Sequence, residues 1–199
     1  MEAGSGSGKS SILLGKNLDR TFLDISDKAL EFAKHLANKF EAKNIKYIQG
    51  DIFEMPFVEK SFDFVWNIGV VEHYEKPQIL EMMNEMIRVT KNNGYLAIGV
   101  PNFWSGATLK AWVLKHRVFD KISGYRLDTE KFYSEKEIFQ LLVSAAKLQN
   151  RTIKTTNTTY FGNSLPIETP KWLANSVGKL IAKTFSRSKF LTFILIKLD

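Results

Sequence analysis

The stretch EAGSGSGKS, residues 2–10, decides the fold, and it admits two readings. Taken as Ala3-x-x-x-x-Gly8-Lys9-Ser10, it fits a relaxed phosphate-binding loop with Ala at the first glycine position; Lys9 would reach terminal phosphates and Ser10 would hold magnesium. Taken as Glu2-x-Gly4-x-Gly6-x-Gly8, it fits the glycine-rich turn of a dinucleotide-like site, where missing side chains let the backbone approach a nucleoside closely. The second reading asks for an acid about 20 residues on, to accept from ribose hydroxyls. Asp24 stands 20 residues after Gly4, at the end of an apolar run. It stands only 15 residues after Lys9, just enough for a short helix and the next strand, and the relaxed phosphate-loop pattern recurs by chance. The dinucleotide-like reading is preferred.

Working outward, RTFLDIS (20–26) reads as a buried strand ending in an acid. DKALEFAKHLANKF (27–40) then sets Ala29, Leu30, Ala33, Leu36, Ala37 and Phe40 at helical spacing. IKYIQGD (45–51), FDFVWNIGV (62–70) and GYLAIGVPN (94–102) read as further strands, with a helix over 77–91. Ser134 and Glu137 form a capping box opening a helix over 134–147. A Thr-rich strand (152–161), a helix begun by Thr169-Pro170 and a last strand (190–198) complete the chain. Alternation of strand and helix predicts one α/β domain over 1–199, with a doubly wound, mostly parallel sheet. Ligands in such sheets sit at the carboxyl ends of strands, where Gly4–Gly8, Asp24, Asp51 and Asn67 all fall.

Composition narrows the chemistry. The absence of cysteine excludes disulfides, thiolate-held zinc, iron–sulfur clusters and a cysteine nucleophile, and is compatible with the cytosol. No charged start followed by an apolar run marks a signal peptide, and the longest apolar run, FLTFILI (190–196), is far too short to span a bilayer. These features predict a cytoplasmic protein without a transmembrane segment. The net charge is +7, and all of the positive excess lies in residues 101–199, so any anionic partner would be met there.

Five stretches in order, EAGSGSG, FLDIS, QGDIFEMPFVEKSFDFV, NIGVVEHY and RVTKNNGYLAI, make the chain resemble class I S-adenosylmethionine-dependent methyltransferases of the small-molecule type from residue 2 to about residue 100. The resemblance implies a Rossmann-like sheet whose last strand is antiparallel, and S-adenosylmethionine as cofactor. It implies that Gly4, Gly6 and Gly8 pass close to the cofactor and that Glu2 contacts its amino end. Asp24 would bind the ribose hydroxyls and Ile25 would pack on the adenine. Asp51 would accept from the adenine amino group with Ile52 against the ring, and Asn67 would lie beside the methionine moiety. No metal is implied. The family pattern departs at KNNG, where Asn tolerates the turn geometry, and at the start, where the first strand is expected to be shortened.

For catalysis, His73 is the candidate general base, six residues after Asn67 on a loop facing the site, with Glu72 as the alternative. Residues 101–133 lie where the family places substrate-covering insertions. Phe103, Trp104, Trp112, Phe119 and Tyr125 would line an apolar acceptor pocket there, or else pack that segment onto the sheet. NIGV stands where base-amino methylating relatives carry an Asn/Asp-Pro-Pro-aromatic motif, which disfavours nucleic acid. Over 170–187, Trp172, Leu173, Val177, Leu180, Ile181 and Phe185 form one helical stripe beside Lys171, Lys179, Lys183 and Arg187. The stripe would pack on the last strand or touch an anionic membrane. The expected function is methyl transfer to a small-molecule or lipid-like acceptor. The alternatives are a catalytically silent protein that keeps the fold and, third, a P-loop NTPase.

Overall fold

The computed structural model describes residues 1–15, 18–115, 130–165 and 169–199. Phe119 and Tyr125 lie outside the described residues, as does much of the 101–133 segment. The strands are β1 (Glu2–Ala3), β2 (Arg20–Asp24), β3 (Ile45–Gln49), β4 (Phe62–Ile68), β5 (Thr90–Pro101), β6 (Ile153–Phe161) and β7 (Leu191–Leu198). Among the described residues they form a single sheet in the order β3-β2-β1-β4-β5-β7-β6. Pairing is parallel from β3 to β5 and antiparallel at β7. This is the doubly wound sheet with an antiparallel last strand that the sequence predicts.

The helices follow local chemistry. In α2 (Asp27–Lys39) the Ser26 hydroxyl accepts from the Ala29 N–H, satisfying one orphan donor, and Leu30, Ala33 and Ala37 bury one face around Phe22. On the other face of the sheet, α3 (Lys76–Val89) supplies Met82, Met83 and Met86 and α5 (Glu135–Leu148) supplies Ile138 and Leu142 to the main core. The expected capping box at α5 forms, with Ser134 and Glu137 bonded reciprocally.

Two elements differ from the sequence reading. β5 begins four residues early, because the chain bulges through the KNNG turn; Asn93 there has φ 60, and the register to β4 shifts between Phe62 and Phe64. The stretch 106–115 is a helix, α4 (Gly106–Lys115), started by the Ser105 hydroxyl, which accepts from the Thr108 N–H. β1 has two residues, Glu2 and Ala3, which align with Phe22 and Leu23 of β2; Glu2 also aligns with Trp66 of β4.

Candidate functional site

A cavity of about 290 Å³ opens at the carboxyl ends of β1, β2, β3 and β4. It is lined by Gly4, Gly6, Asp24, Ile25, Asp51 and Ile52, joined by Gly69, Val70 and Tyr74. Six of the nine residues predicted to hold the cofactor therefore meet in one cleft.

Each is placed by its own chemistry. Gly4 has φ +67, and a Cβ there would come within 2.7 Å of the Val70 side chain, so this turn presses against the loop after β4. An alanine would be doubly penalised, by the left-handed backbone and by the contact. The Asp24 carboxylate holds the turn from below: Oδ2 accepts from the Gly6 N–H at 2.7 Å and Oδ1 from the Ser26 N–H at 2.9 Å. A carboxylate has about four lone-pair sites, so two remain for hydroxyls of a ligand. The same contact argues against a phosphate loop, since an anion already occupies the Gly6 N–H. Lys9 and Ser10 are exposed at the start of the four-residue α1 (Lys9–Ile12).

Ile25 is 70% exposed at the cleft, an apolar platform facing open space. Asp51 Oδ1 accepts from the Phe53 N–H at 2.9 Å, an Asx-type turn that fixes the Asp51–Ile52 corner. The loop behind that corner is tied to α3 by Arg88, which donates to the Met55 and Phe57 carbonyls and to both oxygens of Glu85. Glu85 in turn accepts from the Met55 N–H at 2.8 Å. The MPF portion of the sequence signature thus positions the floor of the cleft rather than touching a ligand.

Three predicted residues lie outside the lining. Asn67 is fully buried just beneath it; its Nδ2 donates to the Ala3 carbonyl at 2.5 Å, and its Oδ1 has no partner among the described residues. Gly8 has φ +60 and packs on Phe22, where a Cβ would come within 2.2 Å of the ring, so it shapes the turn from behind. Glu2 turns toward Ser11, Arg20 and Trp66, beside a different cavity of about 190 Å³. Burial raises its pKa to about 7, against an opposing pull from hydrogen bonds with Ser11.

The turn after β4, Val71–His73, carries both candidate bases. His73 is exposed and does not line the cleft. Glu72 is buried, one carboxylate oxygen lacks a partner among the described residues, and burial raises its pKa. Its other oxygen lies 3.9 Å from the position of a Cβ on Gly69, a cleft residue.

A second cavity, about 400 Å³, lies at the end of β5. Phe103, Trp104, Phe132, Tyr133 and Tyr160 wall it, with Glu135 and Arg187 at its polar side. Phe103 is the hub, meeting Trp104, Trp112 and Phe132 edge to face at 5.5, 6.4 and 5.2 Å. Trp104 thus lines the cavity, and Trp112 supports it from behind. The Tyr133 hydroxyl donates to the Tyr74 carbonyl at 2.7 Å, so a wall of the aromatic cavity is bonded to a wall of the glycine-turn cleft. Sequence reasoning missed Tyr133 and Tyr160, which carry no motif of their own, and gave no role to Tyr74 at the end of NIGVVEHY. The burial of Glu72 is not visible in VVEH.

Residues 1–98 match a family model described as a methyltransferase domain. A demethylmenaquinone methyltransferase of Listeria welshimeri is 34% identical over 77 residues, 39% of this chain and 32% of the relative. An uncharacterised protein of Methanocaldococcus jannaschii is 35% identical over 89 residues, 45% of this chain and 35% of the relative. The chain aligns with about a third of the length of the curated relatives it matches. Among solved structures, an S-adenosylmethionine-dependent methyltransferase of Methanosarcina mazei superposes with TM-score 0.65 at 19% identity, over 100% of this chain and 90% of that one. One from Archaeoglobus fulgidus gives 0.63 at 14%, over 98% and 84%.

Proposed function

We propose, from the premise that this chain is a class I S-adenosylmethionine-dependent methyltransferase by family and fold, that it methylates a small-molecule or lipid-like acceptor held in the aromatic cavity at the end of β5. The observation that carries the reading is the adjacency of two cavities, one built around the glycine turn and its acids, one aromatic, across the Tyr74–Tyr133 bond.

The residues present fit the cofactor. Asp24 keeps lone pairs free for ribose hydroxyls, Ile25 and Ile52 offer apolar surface to the adenine, and Asp51 stands at the rim for its amino group. Gly6 faces open space where a side chain would stand, and Gly4 lets the turn press against Val70. The buried, unpartnered Oδ1 of Asn67 offers an acceptor beneath the turn to the methionine end. Glu2 is turned away and acts on that end only through the strand it shares with the turn. When bound, S-adenosylmethionine supplies an activated methyl on a sulfonium, a strong leaving group.

Positioning then does most of the work. The aromatic walls strip water from the acceptor, and the Tyr133–Tyr74 bond fixes the distance between the cavities. An acceptor hydroxyl must lose its proton. Glu72, whose pKa burial raises, is a stronger base than a surface carboxylate; like His73 it is outside the cleft lining, and it approaches the cleft beside Gly69. His73, exposed on the same turn, is the second candidate for this role. An apolar acceptor agrees with the curated relatives named demethylmenaquinone methyltransferases. A cytoplasmic location is part of the proposal; no helix among the described residues is long and apolar enough to cross a membrane.

The test is release of S-adenosylhomocysteine from S-adenosylmethionine on incubation with total lipid extract. Release above a lipid-free control, reduced at least about tenfold in kcat by Glu72→Gln, supports the reading and its base. Unchanged kcat in Glu72→Gln with a tenfold loss in His73→Ala would transfer the role to His73. Cofactor binding without release from any extract would favour the catalytically silent alternative.

A further inference from the structure

The segment between Thr169 and Phe190 is built inside out for a protein surface. α6 (Lys171–Leu173), a π-helical turn (Ala174–Gly178) and α7 (Lys179–Thr184) follow without a break. The side turned to the protein is small: Gly178 is buried, and a Cβ there would come within 2.5 Å of the Asn163 side chain, whose Nδ2 donates to the Ala174 carbonyl. The large apolar residues face outward instead. Trp172 is 71% exposed, Leu180 65%, Phe185 66% and Val177 43%. The alternative that this stripe packs on the last strand is therefore corrected: Leu173 and Ile181 alone of the stripe are half-buried. The reason is steric, since Gly178 brings the helix too close to Asn163 for a bulky residue to fit between.

Charge completes the pattern. Lys171, Lys179, Lys183, Arg187 and Lys189 all fall between Thr169 and Phe190, with no Asp or Glu in that span. Arg187 also lines the aromatic cavity, whose other edge carries Trp104, itself 75% exposed. The apolar and basic surface is thus continuous with the cavity mouth.

We propose that this helix is a peripheral docking surface for an anionic lipid bilayer, with Trp172, Leu180 and Phe185 entering the headgroup region and the lysines contacting acidic headgroups. Two physical points choose lipid over a protein partner. Exposed Trp, Leu and Phe flanked by lysine suit a bilayer interface, where each lysine near an acidic surface adds attraction. Protein interfaces are depleted of lysine, and this patch has little else that is charged. Docking deepens the functional reading by delivering a lipid-like acceptor to the cavity mouth, yet it needs neither cofactor nor turnover and so can fail separately from it.

The experiment is cosedimentation of the full chain with phosphatidylcholine vesicles, with and without phosphatidylglycerol. Binding to the acidic vesicles is expected, weakened by added salt, with little binding to phosphatidylcholine alone. Trp172→Ser/Leu180→Ser/Phe185→Ser should weaken it more than about tenfold, and Lys179→Glu/Lys183→Glu more than about twentyfold, each lysine being worth about fivefold. Because these side chains are exposed and outside both cavities, S-adenosylhomocysteine affinity should be unchanged in both variants. Absence of binding to acidic vesicles, or binding retained by the triple variant, overturns the proposal. So does a dimer in solution that the triple variant converts to monomer, which would make this face an interface between copies.

Discussion

Replacing Asp24 by alanine separates the two jobs the structure gives that carboxylate. It accepts the Gly6 and Ser26 N–H groups at 2.7 and 2.9 Å. Hydrogen bonds to a charged group are worth about 1.5–3 kcal/mol each. The residue is half-exposed, so water replaces part of even the lower end of this range, which leaves about 2 kcal/mol of stability for the pair. That lowers the melting temperature by about 4–8 °C, allowing for a domain of this size. The remaining lone pairs carry the ligand. Losing one charge-assisted bond to a ribose hydroxyl weakens binding by about 1.5–3 kcal/mol, or about tenfold to a hundredfold. Isothermal titration with S-adenosylhomocysteine, run well below the variant's melting temperature, isolates the second effect from the first. Asp24→Asn should fall between, since its amide oxygen can keep one backbone donor while its NH₂ opposes the other. Binding by Asp24→Ala within twofold of the native chain, with the fold intact, would refute the assignment.

Other consequences follow from single contacts. Glu2 has its pKa raised from 4.5 to about 7 by burial, so folding favours its protonated form; the stabilisation is complete below 4.5 and is lost as pH rises through 7. Glu2→Gln should therefore be more stable than the native chain by about 3 kcal/mol at pH 8 and no more stable at pH 4, as urea melts at the two values will tell. Gly8→Ala forces a Cβ into the Phe22 ring at a positive φ, and should cost at least about 2 kcal/mol, visible as a lowered melting temperature. Arg88→Met leaves Glu85, only 15% exposed, without its cation and frees the Met55 and Phe57 carbonyls. A loss of about 3 kcal/mol in stability is expected, with weaker S-adenosylhomocysteine binding because the Asp51–Ile52 corner loosens.

The centre of the sheet was legible because β2, β3 and β4 announce themselves by an apolar run ending in a polar residue at the ligand side: FLD at Asp24, YIQGD at Asp51, FVWN at Asn67. Spacing alone placed the cleft, since the doubly wound order brings those ends together whatever the loops do. The direction of individual side chains was not legible. Glu2 and Gly4 are two residues apart, yet the φ +67 turn at Gly4 leaves Glu2 facing the opposite cavity. α4 escaped notice because its start signal is a single Ser105 hydroxyl inside an aromatic stretch. The aromatic cavity was legible in part, through Phe103 and Trp104; its other walls come from α5, β6 and β7 neighbours, contacts of long sequence separation that no local pattern encodes. The helix at 171–184 shows the limit of periodicity most plainly. Its apolar stripe was legible, but whether Trp172 and Leu180 point in or out depends on Gly178 meeting Asn163, fifteen residues upstream.

The most direct measurement is calorimetric titration of the native chain with S-adenosylmethionine, S-adenosylhomocysteine and, separately, magnesium and ATP. The cleft around Gly4, Gly6, Asp24 and Asp51 predicts saturable one-to-one binding of both adenosyl compounds at micromolar affinity and no heat from ATP. Saturable ATP binding with no response to either adenosyl compound would contradict it, and would return EAGSGSGKS to the phosphate-loop reading.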